Sequence, residues 1–366
     1  MYPASTTKIM TALLALEKCN LTDTVTVSNT AIRSISSDYA TVYLNAGEVL
    51  TVEQLLNILL IPSGNIAGNV LAEHISGSFD SFVTLMNSRA KELGCVNTHF
   101  TNSYGLHDDN HYTCAYDLYL IAHEAMKYDA FREIVTKTSY KLEPTNVYSK
   151  DDRTFYTTNE LIKPNSSKRA DNYYYKKAIG IKTGYTSQAK DCLVAAASDD
   201  NLELFSVILG ADKTSQNLSA RYTETKQLFE FGFKNYSMRD VFKANDVCTQ
   251  IDVKNATSDT KKLDLLVKDD INVLVDKDSL YVSLIPNITV NQDLQAPISA
   301  GDVVGHISYS IDGITYQSEL LASHDVEKSY LIYIIVGVIV VVLFIGILLL
   351  RKSLKNRKKR YKNYRI

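Results

Sequence analysis

Three short groups of polar residues, far apart along the chain, hold side chains suited to acid–base and nucleophilic work: Ser5-Thr6-Thr7-Lys8, Ser63-Gly64-Asn65 and Lys182-Thr183-Gly184. A serine hydroxyl attacks a carbonyl when a base takes its proton. On a helix, residues i and i+3 share a face, so Lys8 can reach the Ser5 hydroxyl, and the helix N-terminus adds a positive dipole end beside it. Lysine serves as that base only when neutral, and both burial and a second cation, Lys182, lower its pKa. The Asn65 amide can donate to a substrate carbonyl and accept from Lys8, while Ser63 can pass a proton towards a leaving amine. Together these groups make a serine acyl-transfer site without a histidine.

Those residues need elements to hold them. Residues 5–18 read as a helix that is apolar almost all round from 9 to 16, the pattern of a helix buried on most sides. A second helix, 52–60, opens with the capping-box pattern Thr51-x-x-Gln54 and stops at Pro62. A third, 66–75, ends at Ser76-Gly77, which leaves Ser63-Gly64-Asn65 in a tight interhelical connection. Further helices are expected at 79–93, at 114–127 with Thr113 as N-cap, and at 218–231. Residues 140–178 are polar and tyrosine-rich with little periodicity. Lys182-Thr183-Gly184 falls on a strand, followed by β-like runs at 192–198 and 202–210 that read as antiparallel neighbours. From 236 to 326, alternating runs such as 271–275, 280–284 and 303–309 predict a small all-β domain.

With 366 residues, 45% apolar and 22% charged, the chain can bury a large domain and a smaller one, and wholesale disorder is excluded. Nine of its 39 Lys/Arg lie in the last sixteen residues, so the other 350 carry 30 cations against 41 acidic residues. That balance argues against a nucleic-acid-binding body. Five scattered cysteines form no C-x-x-C pair, so neither a zinc knuckle nor a disulfide framework is indicated. His107-x-x-x-His111, with Asp108 and Asp109, has metal-ligand residue types but lies in an expected loop, where that spacing does not converge. No metal site is expected. Glu53-Gln54-Leu55-Leu56-Asn57 has the spacing of a β-lactamase deacylating carboxylate but precedes Ser63, and reads as ordinary helix.

Residues 331–350 are twenty positions without a charge, the length that crosses a bilayer as a helix. The cations that follow place the C-terminus in the cytoplasm by the positive-inside rule, and the body outside. Met1-Tyr2-Pro3-Ala4 has none of the features of an export signal, so an N-terminally truncated sequence is expected.

Ser-x-x-K, Ser-x-Asn and K-T-G in this order resemble the motif set of serine β-lactamases and penicillin-binding proteins. The stretches around them, residues 3–12, 60–65 and 180–186, resemble the D-alanyl-D-alanine carboxypeptidases, the low-molecular-mass penicillin-binding proteins. The resemblance is close from residue 1 to about 212, and it includes Met86-Asn87, Leu93-Gly94, residues 101–106 and His111-Tyr112-Thr113. It implies an α+β fold, an antiparallel sheet flanked by helices, with strands of that sheet ahead of Ser5 that this sequence lacks. The expected layout is a catalytic domain at 1–235, a β-rich domain at 236–326, a membrane anchor at 327–350 and a basic cytoplasmic tail at 351–366.

The function so implied is removal of the terminal D-alanine from peptidoglycan stem peptides through an acyl-enzyme on Ser5, with no metal or organic cofactor. β-Lactams would acylate the same serine. Lys8, Ser63 and Asn65 would share the catalysis. Lys182, Thr183 and Gly184 would bind the substrate with Tyr185, Lys182 and Thr183 holding its carboxylate, and the backbone N–H groups of Ser5 and Tyr185 would form the oxyanion hole. The family usually has Asp where this chain has Ile66 and Gly where it has Lys190. The alternative reading is a penicillin-binding sensor that acylates without turnover, which would need a cytoplasmic effector beyond the span.

Overall fold

A 3₁₀ turn, Ala4–Thr7, runs directly into helix α1, Lys8–Lys18. Every residue of α1 from Lys8 to Ala15 is buried, as its all-round apolar pattern predicts. Ser5 therefore stands on the tighter turn ahead of the α-helix, where side chains three apart eclipse one another. The computed structural model describes residues 1–36, 39, 41–164, 173–215, 218–279 and 284–363, which divide into two units at Tyr236/Ser237.

In the first unit, strand β1 (Thr24–Thr26), helix α2 (Asn29–Arg33) and strand β2 (Val49–Thr51) precede helix α3 (Val52–Leu60), with β1 and β2 paired antiparallel. The capping box of α3 is complete: the Gln54 N–H donates to the Thr51 hydroxyl and the Thr51 N–H to the Gln54 side chain. Helix α4 (Asn65–Ser76) ends at Gly77 in the left-handed region. Helices α5 (Phe79–Glu92), α6 (Ala115–Ala125) and α7 (Asp129–Thr136) follow, then the hairpin of β3 (Ser139–Leu142) and β4 (Arg153–Tyr156). Strands β5 (Ala178–Thr186), β6 (Lys190–Asp199) and β7 (Leu202–Ala211) make an antiparallel sheet in that order, and helix α8 (Ala220–Asn235) packs on β6 and β7. The core joins α1, α3 and α4 through Leu13, Leu14, Leu55, Leu59 and Leu71, and Val194 and Ala196 of the sheet belong to it as well.

Several local expectations fail. Cys114, not Thr113, is the N-cap residue of α6, and it makes no side-chain cap; the Thr113 hydroxyl instead meets Thr98 at 2.8 Å. Helix α7 has only eight residues and strands β3 and β4 four each, too few for their periodicity to mark them in the sequence. Helix α8 begins two residues later than expected, at Ala220.

The second unit pairs β8 (Tyr236–Phe242) with β11 (Ile271–Asp276), and orders β9 (Val247–Asp252), β10 (Lys262–Val267), β12 (Asn287–Val290), β13 (Val303–Ile311) and β14 (Ile314–Ala322) as β12-β13-β14-β10-β9. Of the run at 280–284, residues 280–283 lie outside the described residues. Backbone hydrogen bonds still tie the chain to this unit at Ser329, whose N–H donates to the Asn255 carbonyl at 2.7 Å. Helix α9, Leu331–Asn363, continues through the basic segment. Its 33 residues span about 50 Å against a hydrocarbon core of about 30 Å, so the basic turns reach beyond the apolar ones.

The two departures from the family pattern have distinct structural outcomes. Ile66 is buried in the apolar core at the start of α4. The Lys190 side chain is exposed and pairs with Asp212 at 2.7 Å, but its backbone takes φ +57° as β6 begins. That conformation is strained for a residue with a Cβ, by about 1 kcal/mol. The exposed ion pair is worth little. Lys190→Gly should therefore stabilise the protein by up to about 1 kcal/mol after the entropy of a freer unfolded chain is subtracted. Lys190→Val should destabilise it by at least as much. Urea midpoints at unchanged slope measure both, and a Gly variant less stable than the parent would contradict the strain argument.

Candidate active site

Lys8, the first residue of α1, has its amine in the interior with three polar neighbours: the Ser5 hydroxyl at 2.8 Å, Asn65 Oδ1 at 2.6 Å and the Tyr104 carbonyl at 2.8 Å. None of the three is an anion. Burial first, and the Lys182 charge second, hold its pKa well below the usual lysine range. A neutral amine has two N–H bonds and one lone pair. It can donate to the two oxygens that only accept, Asn65 Oδ1 and the Tyr104 carbonyl, while the Ser5 hydroxyl donates to it.

Asn65 reaches Lys8 from the start of α4. Its amide is oriented by donating to the Tyr39 carbonyl, and its backbone N–H donates to the Thr41 hydroxyl at 3.3 Å. The Thr41 hydroxyl donates in turn to the Ser63 carbonyl at 2.6 Å. Ser63 is buried with φ +68°, a left-handed conformation costly for serine, and the Gly64 N–H donation to Ile58 at 2.8 Å helps hold this turn. Among the described residues, no hydrogen bond joins the Ser63 hydroxyl to Ser5, Lys8 or Lys182.

The third motif lies on β5, directly against the 3₁₀ turn. A Cβ on Gly184 would sit 2.9 Å from the Pro3 carbonyl and 3.1 Å from the Ser5 nitrogen, so only glycine lets the strand backbone come this close. Lys182 is buried and its pKa falls to about 7, through desolvation and then the nearby Arg221 guanidinium. Its amine donates to the Thr183 carbonyl at 3.1 Å, and the Thr183 hydroxyl meets that of Thr158 at 2.5 Å. Tyr185, two positions beyond Thr183 on the same face of the strand, leaves its ring exposed. The structure thus joins Ser5, Lys8 and Asn65 by direct contact, and brings Gly184 against Ser5.

Sequence reasoning gave no role to several residues that build this site. The Tyr104 carbonyl is aimed at Lys8 by a turn in which Asn102 Oδ1 accepts from the N–H groups of Tyr104, Gly105 and Leu106, at 3.3, 2.7 and 3.0 Å. Gly105 has φ +91°, and a Cβ there would overlap the Ala4 carbonyl at 1.9 Å. The Asn-x-x-Gly spacing was a readable turn signal. Arg221 donates to the Gly184 carbonyl at 3.1 Å and pairs with Asp191 at 3.1 Å, a link no local pattern carries.

The two decoys have local uses. His111 Nδ1 accepts from the Thr101 N–H at 3.0 Å, so Nε2 carries the hydrogen towards the Thr7 hydroxyl at 2.8 Å. Both nitrogens are engaged, and burial lowers the pKa of the ring to about 4. In α3 the Asn57 amide donates to the Glu53 carbonyl at 2.8 Å, within its own helix.

Comparison with known proteins gives the same family throughout. The profile of D-alanyl-D-alanine carboxypeptidases matches residues 1–213, and that of the penicillin-binding protein 5 C-terminal domain matches residues 236–328. D-alanyl-D-alanine carboxypeptidase DacF of Bacillus subtilis is 33% identical over 338 residues, which cover 90% of this chain and 80% of that protein. The crystal structure of penicillin-binding protein 5 from Haemophilus influenzae superposes with a TM-score of 0.68 at 28% identity, over 90% of this chain and 91% of the other. A DD-transpeptidase from Streptomyces aligns with a TM-score of 0.55 at 34% identity, over 63% of this chain and 87% of its own. Matched over more than half its length by the family profile, and by a homologue across nine-tenths of it, the chain belongs to the D-alanyl-D-alanine carboxypeptidase family.

Proposed function

We propose that this chain is a membrane-anchored serine carboxypeptidase that removes the terminal D-alanine from peptidoglycan stem peptides, and that β-lactams acylate the same residue. The observation that carries the reading is the buried Lys8 amine bridging Ser5 and Asn65 with no anionic partner among its contacts. Neutral Lys8 takes the Ser5 proton as Oγ attacks the carbonyl of the scissile bond. The backbone N–H groups of Ser5 and Tyr185 receive the developing oxyanion, and the closeness of Gly184 to the Ser5 nitrogen supports that pairing. As the carbon–nitrogen bond breaks, the proton held by Lys8 passes through the Ser63 hydroxyl to the leaving amine, which returns Lys8 to its neutral form, and D-alanine departs. Water then attacks the ester while Lys8 accepts its proton, and as the bond from the acyl carbon to Ser5 Oγ breaks, Lys8 returns that proton to the serine.

Lys182 and Thr183 hold the free carboxylate of the substrate. A buried lysine with a pKa of about 7 is poised to be charged by an arriving anion. Helix α9 is the one helix among the described residues long and apolar enough to cross a membrane. With its cations following the apolar stretch, we place the C-terminus in the cytoplasm and the catalytic unit outside. The sensor alternative has no observation in its favour.

Ser5→Ala should abolish D-alanine release and covalent labelling by a fluorescent penicillin; persistent labelling would sink the assignment. The pH profile follows from two opposite requirements. Acylation needs Lys8 neutral, which gives an ascending acid limb, and carboxylate binding needs Lys182 protonated, so kcat/KM for a D-Ala-D-Ala peptide should fall above about pH 7. Bound carboxylate raises the Lys182 pKa, so the alkaline limb of kcat should lie at higher pH than that of kcat/KM; coincident limbs would contradict this role. Ending the chain after Ser329 should yield a soluble protein that labels at the same rate as the protein that keeps α9, measured by gel fluorescence over time.

A further inference from the structure

Helices α1 and α4 both begin at the catalytic cluster, with Lys8 and Asn65 as their first residues, so they run away from it side by side. Their far ends carry a second set of chemically capable groups. Cys19 is the C-cap of α1, His74 lies in the last turn of α4, and Asp23 sits in the turn that leads into β1. The Cys19 sulfur, an Asp23 carboxylate oxygen and a His74 ring nitrogen lie within 4.8 Å of one another. The end of α1 is about 15 Å from Lys8, so this cluster is separate from the acylation site.

We propose that Cys19, Asp23 and His74 bind a divalent cation of the zinc class, clamping together the ends of α1 and α4 opposite the active site. A thiolate, an imidazole and a carboxylate form a donor set that suits zinc or cobalt, whereas calcium and magnesium prefer all-oxygen sites. Among the described residues neither the Cys19 thiol nor the His74 ring makes a hydrogen bond, so their lone pairs are not committed elsewhere. Asp23 is already oriented: its carboxylate accepts from the Asn20 backbone N–H at 2.8 Å and from the Asn20 side chain at 3.4 Å. Such outer contacts fix a ligating carboxylate. His74 is exposed, so the fourth position of a tetrahedral ion opens to water. On binding, the Cys19 sulfur–hydrogen bond breaks, its proton passes to solvent, and the thiolate donates its electron pair to the metal.

The test is a cobalt titration of the untagged protein with its helix α9, in detergent micelles, stripped with a chelator and kept reduced. We expect one equivalent of Co²⁺ to bind with a thiolate-to-cobalt absorption band and the release of protons. Zn²⁺ should abolish the band and raise the Tm. Cys19→Ser should remove the band, and His74→Ala should weaken binding by about tenfold or more. Both variants should label with penicillin like the parent, which controls for folding, since neither residue touches the acylation site. No band at saturating Co²⁺, a band that survives Cys19→Ser, or equal affinity in His74→Ala would each overturn the proposal.

Discussion

The architecture turns on one unfavourable placement: a lysine amine buried without a carboxylate. A charged lysine in such a site costs several kcal/mol, and the protein evades that cost by lowering the pKa rather than by supplying a counter-ion. With Lys182 also buried nearby, the fold is less stable at neutral pH than it would be with two ordinary lysines. The sign follows from proton binding: between the folded pKa of about 7 for Lys182 and its unfolded value of 10.5, the unfolded chain holds more protons, so this contribution to stability is lost as pH falls through that window. Cost of this kind is commonly concentrated where a site must react.

Each neighbour of the Lys8 amine then imposes its own demand. A carbonyl must face the amine, which calls for the Asn102 turn, and the turn must come so near the Ser5 backbone that only glycine fits at position 105. An amide must reach it from another helix, which requires α4 to begin at Asn65 and Ser63 to adopt a left-handed backbone. The close approach of β5 adds a third demand, met by Gly184 in front and by the Arg221 hydrogen bond to its carbonyl behind. The all-round burial of α1 is the packing consequence, since a helix bearing a desolvated amine can leave no face of its first turns to water.

What could be read from the sequence was whatever local chemistry encodes. The Thr51–Gln54 capping box, the Gly77 stop and the apolar circumference of α1 are near-neighbour effects, and all three are observed. The three motifs could be read as a set because their residue types match one reaction. The Tyr104 carbonyl could not, because a backbone acceptor has no side-chain signature, and the roles of Thr41 and Arg221 exist only after distant segments meet. At Thr113 the capping preference was overridden: its hydroxyl meets Thr98, which is also tied to Asp117 at 2.7 Å, and the helix starts one residue later.

On the proposed reading, the two buried lysines also set the order of events. Before substrate binds, Lys182 is only partly charged near neutral pH, and that partial charge adds to burial in depressing the Lys8 pKa and priming the base. The arriving carboxylate stabilises that charge while partly offsetting its field at Lys8, so the amine becomes more willing to accept the serine proton when the hydroxyl must be activated. When D-alanine leaves, its carboxylate leaves with it, and the uncompensated Lys182 charge again favours the neutral amine that deacylation requires. A carboxylate in place of Asn65 would hold Lys8 permanently charged and break this alternation, which gives a physical reason for a neutral amide at the most intimate contact of the site.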